Sequence, residues 1–260
     1  MGGFQVEGVY MTKKENWDSS ERWYTDCVGE KGHYYHQSVV LPGAVRLLKL
    51  KESDSLLDLG CGQGVLARHL KEGIDYSGVD SSKELIASAR KLTRSKNCQF
   101  HVGDASEPLP LEKSDFDAAC FILSLQNMEA PAAAIANAGK HLKKGGKLLI
   151  VLNHPSFRIP RQSSWGIDEA AKLQYRRVNG YMSAQKIPIQ TSPGKGDLSE
   201  VTYSYHYPLS DYSKWLAKEG FSIDLIEEWI SDKKSEGAKA KMEDRARREI
   251  PLFMALLATH

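Results

Sequence analysis

Cysteine is scarce in this chain: four among 260 residues, Cys27, Cys61, Cys98 and Cys120. No two lie at the spacing of a zinc knuckle or a redox pair, so no metal or disulfide is expected to organise the fold. Net charge is almost absent as well. Thirty-five Lys and Arg oppose 33 Asp and Glu, leaving +2, so the global basic field of a nucleic-acid binder is missing. Lys233–Arg248 is rich in Lys and Arg but carries Glu236, Glu243 and Asp244 among them, the pattern of a solvated helix. Long apolar runs are missing too. Ala118–Leu125 and Pro251–Ala258 have about half the length of a membrane-spanning helix. Met1–Glu15 has no apolar core of signal-peptide type, and Val6 stands where a myristoylation motif wants Ser or Thr. The expectation is a cytoplasmic protein with no metal, no membrane span and no nucleic-acid partner. No internal repeat is visible.

What is present is alternation. Short apolar runs at Leu56–Leu59, Tyr76–Val79, Cys98–Val102, Phe116–Leu123 and Lys147–Leu152 read as strands, with helical patterns between them. Ser81-Ser82-Lys83-Glu84 has the form of a capping box, backed by Leu85, Ile86, Ala89 and Leu92. Pro131 suits the first turn of a helix carrying Ile135, Ala138 and Leu142, stopped by Gly145-Gly146. Such alternation predicts a parallel sheet covered on both faces. Later come a helix over Ser210–Lys218, a strand over Phe221–Ile230, a charged helix within Ser231–Glu249 and a last strand over Pro251–Thr259, expected to be antiparallel. Residues 1–50, rich in aromatics, read as a helical cap segment and 51–260 as the main domain. Within it, 155–200 is an insertion after the fifth strand, of the length expected of a lid.

The strongest local signal is Asp58-Leu59-Gly60-Cys61-Gly62-Gln63-Gly64. A strand runs into a turn with glycine at alternate positions, where the backbone can turn tightly and approach a ligand. The spacing departs from the dinucleotide pattern Gly-x-Gly-x-x-Gly. Asp58, just before the turn, suits a cationic amino group better than a pyrophosphate. Gly78-Val79-Asp80 closes the second strand, where a carboxylate can accept bonds from both ribose hydroxyls. Gly103-Asp104-Ala105 follows the third, placed for an adenine amino group. Each acid alone also reads as a helix cap. Together they line the carboxyl edge of a parallel sheet, where ligands bind.

These motifs, with Gly78-Val79-Asp80-Ser81, Phe116-Asp117 and Leu142–Leu148, resemble those of the class I S-adenosylmethionine-dependent methyltransferases. The ending His206–Tyr212, Gly220-Phe221 and Pro251–Phe253 is similar to that of small-molecule members, as is the opening Trp17-Asp18, Tyr24 and Gly32–His36. The resemblance implies a Rossmann-like α/β fold with a seven-stranded, mostly parallel sheet, and S-adenosyl-L-methionine as cofactor. By it, Asp58 lies near the methionine amino group, Gly60, Cys61 and Gly62 line the methionine and ribose, and Asp80 with Ser81 meets the ribose. Gly103, Asp104 and Ala105 face the adenine, Phe121 and Ile122 lie beside the methionine portion, and Tyr24 joins from the opening segment.

Methyl transfer is an in-line displacement that an enzyme can promote largely by alignment, so no catalytic residue need stand out. His154, His36 and Tyr35 are the candidates to position or deprotonate an acceptor. Tyr34, Trp165 and Tyr181 are candidate apolar walls, and Arg158 and Arg161 candidate anion binders. The expected acceptor is a small or lipid-like molecule. An RNA or protein methyltransferase, or a non-catalytic cofactor-binding protein, is the alternative; the former would bring a basic face or an Asn-Pro-Pro signature, and neither is visible.

Overall fold

A computed structural model of the chain describes residues 33–190 and 201–260. Trp17, Trp23, Tyr24 and Cys27, and the end of the expected lid, lie outside the described residues. A π-helical turn, His36–Val40, leads into α1 (Leu41–Leu48). Then follow β1 (Ser55–Leu59), β2 (Asp75–Asp80), α2 (Lys83–Leu92), β3 (Cys98–Val102), β4 (Phe116–Ile122), α3 (Pro131–His141) and β5 (Leu142–Asn153). The chain continues through β6 (Ser163–Asp168), β7 (Leu173–Val178), β8 (Gln185–Gln190), β9 (Val201–His206), α4 (Leu209–Lys218), β10 (Ser222–Trp229), α5 (Ala240–Glu249) and β11 (Phe253–Thr259).

Seven strands form the central sheet in the order β10-β11-β5-β4-β1-β2-β3. The first five strands are parallel, and β11 runs antiparallel to both β5 and β10, as the sequence led us to expect. Every residue of β1 is buried, because helices or loops cover both faces of the sheet centre. One core joins α1 to Leu56, Tyr76, Leu149 and Val151. The other joins α3 and α4 to Leu57, Leu59, Phe116 and Phe121. Gly43 lets α1 sit tightly on β10: a β-carbon there would come within 2.5 Å of the Trp229 ring.

Several boundaries differ from the sequence reading. The cap of α2 is Ser82, whose Oγ accepts from Leu85 N at 3.2 Å, so the capping serine sits one residue later than the box implied. Leu142 belongs to β5 rather than to the preceding helix. It pairs with Phe116 while Lys147 pairs with Ala118, so 143–146 loops out of register between them, helped by a positive φ of 78° at Gly145. The glycine turn is followed by turns and a short 3-10 segment, Ala67–His69, rather than an α-helix. Only Ala240–Glu249 of the charged stretch is helical. The insertion is not a bare loop: β6 and β7 form an antiparallel hairpin, and β8 pairs antiparallel with β9.

Candidate functional site

The ends of β1, β2 and β3 are tied into one rim. Gly60 N and Cys61 N both donate to the Val79 carbonyl, at 2.8 and 3.1 Å, and Gly103 N donates to the Asp80 carbonyl at 2.9 Å. Gly60, Gly62 and Gly64 all have positive φ, of 75°, 55° and 73°, a region in which a side chain is strained. Space forbids side chains as well: a β-carbon on Gly60 would lie 2.4 Å from Ser124 Cβ, and one on Gly64 would lie 2.8 Å from the Phe100 ring. Ser124 donates to the Leu59 carbonyl at 2.6 Å and so clamps the turn against the end of β4. The sequence reading missed Ser124, whose only signal is its position just past a strand.

Asp80 ends β2 and stands half-buried at this rim. Its Oδ2 accepts from Gly62 N at 2.8 Å and its Oδ1 from Ser82 N at 2.9 Å. The carboxylate thus fixes the glycine turn and the start of α2 at once. Ser81 is exposed beside it. Asp104 is exposed just beyond Gly103 and accepts from Ser106 N at 2.9 Å. Ala105 is buried, and its carbonyl accepts from Asn137 of α3 at 2.8 Å, which fixes this loop.

Asp58 is different. It is 2% exposed, one residue short of the strand end. Tyr76 Oη donates to its Oδ2 at 2.7 Å and Cys120 Sγ to its Oδ1 at 3.5 Å. Burial pushes its pKa up to about 6 against the pull of these two bonds, and the charge of Asp80 adds to the rise. Cys61, also buried, has its thiol pushed up by burial and by the charges of Asp80 and Asp58. Phe121 was expected to lie beside the methionine portion, but it is fully buried in the α3–α4 core. It belongs to β4, and the two-residue period of a strand turns it away from its neighbour. Ile122, half-buried, packs on the opposite core.

Two of the three catalytic candidates, His154 and Tyr35, are engaged in hydrogen bonds. His154 is buried; its Nε2 meets Glu228 Oε1 at 2.7 Å and its Nδ1 accepts from Ser156 N at 3.1 Å. Burial lowers its pKa despite Glu228. A neutral ring donating from Nε2 fits both contacts and leaves no nitrogen for an acceptor. Tyr35 bonds Ser231 Oγ at 2.9 Å, and its ring stands edge-on to Phe253 at 5.9 Å. His36 is held down at a pKa of about 4 by burial and by the neighbouring His33 and His69, so it is neutral at pH 7 and a weak base. Tyr181 Oη accepts from Leu209 N at 3.1 Å, while His206 Nε2 bonds the Tyr181 carbonyl at 2.7 Å.

The glycine turn clamped by Ser124, the acid at the end of β2 and the 3-2-1-4-5 order with a trailing antiparallel strand are the arrangement that the motifs led us to expect. Residues 57–150 match the family described as methyltransferase domain. The chain is 32% identical over 127 residues to an uncharacterized 37.1 kDa protein in transposon TN4556 of Streptomyces fradiae, covering 44% of this chain and 36% of that protein. It is 25% identical over 148 residues to a ubiquinone biosynthesis O-methyltransferase of Hydrogenovibrio crunogenus, covering 52% of this chain and 61% of that enzyme. The chain thus spans between about a third and two thirds of the length of these two relatives. An S-adenosylmethionine-dependent methyltransferase from Mesorhizobium loti superposes with a TM-score of 0.66 at 23% identity, over 86% of this chain and 99% of the other. Residues 57–150 thus carry a match to a methyltransferase domain, and the fold is that of solved S-adenosylmethionine-dependent methyltransferases. Among the described residues no helix is long and apolar enough to cross a membrane.

Proposed function

We propose that the chain transfers a methyl group from S-adenosylmethionine to a small-molecule acceptor in the cytoplasm. The observation that carries this reading is the row of Asp58, Asp80 and Asp104, on or just past the ends of three adjacent strands around the glycine turn. The donor set fits the cofactor: a buried anion for its ammonium, a half-buried carboxylate for its ribose diol and an exposed one for its adenine amine. Asp80 accepts the ribose hydroxyls with Ser81 alongside. Asp104 faces the adenine amine, and the Gly60–Gly62 backbone lines the methionine portion with Cys61 beneath. Asp58, already bonded by Tyr76 and Cys120, acts on the ammonium by charge from beneath the turn rather than by a direct bond.

When bound, the cofactor supplies an electrophilic methyl group on a sulfonium. The chain aligns the acceptor with that group and excludes water. His154, Tyr35 and His36 serve as positioning residues, since their polar atoms are engaged or weakly basic. The β6–β9 region and the segment around Tyr35 leave the same edge of the sheet as the glycine turn, and form the acceptor side as a lid over the domain of residues 51–260. The O-methyltransferase of quinone biosynthesis named among the relatives supports a ring-bearing metabolite as acceptor. Calorimetric titration with S-adenosylhomocysteine and NAD tests the cofactor assignment. Saturable binding of the former and none of the latter is expected; NAD binding alone would overturn it.

A further inference from the structure

A cavity of about 210 Å³ opens beside the end of β5, lined by Phe157, Arg158, Trp165, Arg176 and the 250–252 segment that enters β11. Arg176 is fixed on its rim. Its Nε donates to the Phe157 carbonyl at 2.7 Å, its Nη2 donates to Ser163 Oγ at 2.8 Å, and its guanidinium lies over the Trp165 ring at 5.2 Å. Arg158 lies over the Phe253 ring at 5.2 Å. Among the described residues neither arginine has a carboxylate partner. The titratable groups that act on Arg158 are Arg176, which repels it, and the Tyr35 phenol.

Guanidinium groups stay charged in proteins. Two of them held together on apolar and aromatic walls carry a desolvation and repulsion cost that an anion between them would offset. The fork of a guanidinium matches a planar carboxylate in two parallel bonds. The volume suits one ring, and Phe157 and Trp165 give the cavity aromatic walls. We propose that this cavity is a carboxylate subsite, in which Arg158 and the remaining edge of Arg176 hold the acid group of an aromatic acceptor. The acceptor role rests on the methyltransferase reading above; the binding site itself does not.

Benzoate, benzamide and phenyl phosphate are titrated into the whole chain in low-chloride buffer, with S-adenosylhomocysteine titrated into each protein separately. Benzoate is expected to saturate one site, with benzamide and phenyl phosphate both weaker. Arg158→Gln and Arg176→Gln should each weaken benzoate by about tenfold, the loss of charge-assisted bonds, with S-adenosylhomocysteine affinity unchanged. Absence of saturable benzoate binding overturns the proposal, as does benzamide binding as tightly as benzoate or undiminished benzoate binding in Arg158→Gln. Tighter binding of phenyl phosphate overturns the carboxylate assignment. Should Arg158→Gln fail to fold, Arg158→Lys keeps the charge without the fork and should still weaken benzoate; unchanged affinity there also overturns the proposal. Failure of S-adenosylhomocysteine to bind the unaltered chain counts against the methyltransferase reading alone, because the benzoate measurement needs no cofactor.

Discussion

Replacing Asp58 with Asn should make the ligand-free protein more stable at neutral pH while weakening cofactor binding. Asn keeps an oxygen for Tyr76 Oη and nearly the same volume, so the main change is the loss of a buried charge. Burial lifts the Asp58 pKa from its usual 3.8 to about 6. At 1.36 kcal/mol per pKa unit, ionising it in the folded protein costs about 3 kcal/mol relative to the unfolded chain. The folded state holds this proton more tightly than the unfolded state. The wild type therefore loses stability as pH rises from about 4 to about 6, and the loss is complete above that range. Urea unfolding of both proteins at steps from pH 4.5 to 8 would read this directly. The difference between Asp58→Asn and wild type should grow in favour of Asn by about 2 kcal/mol across that range, whatever constant offset the amide introduces. A difference flat with pH would refute a buried Asp58 with a raised pKa. Affinity for S-adenosylhomocysteine at pH 7.5 should fall in the variant, since its ammonium loses the anion beneath the turn.

Asp80→Ala removes bonds to Gly62 N and Ser82 N together with the proposed ribose contacts. At about 1.5–3 kcal/mol for a bond to a charged group, S-adenosylhomocysteine affinity measured by calorimetry should fall by tenfold or more. Gly60→Ala forces a side chain into a positive φ and against Ser124; a stability loss of about 1–3 kcal/mol is expected in urea unfolding, with cofactor affinity falling in parallel. His154→Ala should cost about 2 kcal/mol of stability through the lost contacts to Glu228, Ser156 and Phe157, while S-adenosylhomocysteine affinity stays unchanged. Reduced affinity at unchanged stability would mean that His154 reaches the cofactor.

The sheet was legible in the sequence because β1, β4, the second half of β5 and β11 are mostly apolar and buried on both faces, a pattern that exposed helices do not share. The glycine turn was legible for a similar reason. Positive φ and close approach to Ser124 and Phe100 leave glycine as the fitting residue at Gly60 and Gly64. The hairpins of the insertion were not legible. Ser163–Asp168 and Leu173–Val178 mix Ser, Gly, Gln and Arg with exposed Trp165, Ile167, Leu173 and Tyr175, so no alternation marks a buried face. Side-chain direction was the other loss. Phe121 was placed by the family resemblance, and the period of the strand turns its side chain into the core. Arg158 was paired in expectation with Arg161, three residues on, but Arg161 is exposed in a turn. The arginine that lines the same cavity as Arg158 is Arg176, brought there by the hairpin, and such long-range neighbours carry no local signal. The same holds for Glu228 opposite His154 and Ser231 opposite Tyr35.

The most direct test of the central claim is transfer itself. The whole chain is incubated with methyl-deuterated S-adenosylmethionine and fractionated cell lysate, and the metabolite, RNA and protein pools are analysed by mass spectrometry. The account predicts a trideuteromethyl mass increment on a compound in the metabolite pool, absent with the Asp80→Ala variant. Label confined to RNA or protein, or no label in any pool from a protein that binds the cofactor, would contradict it.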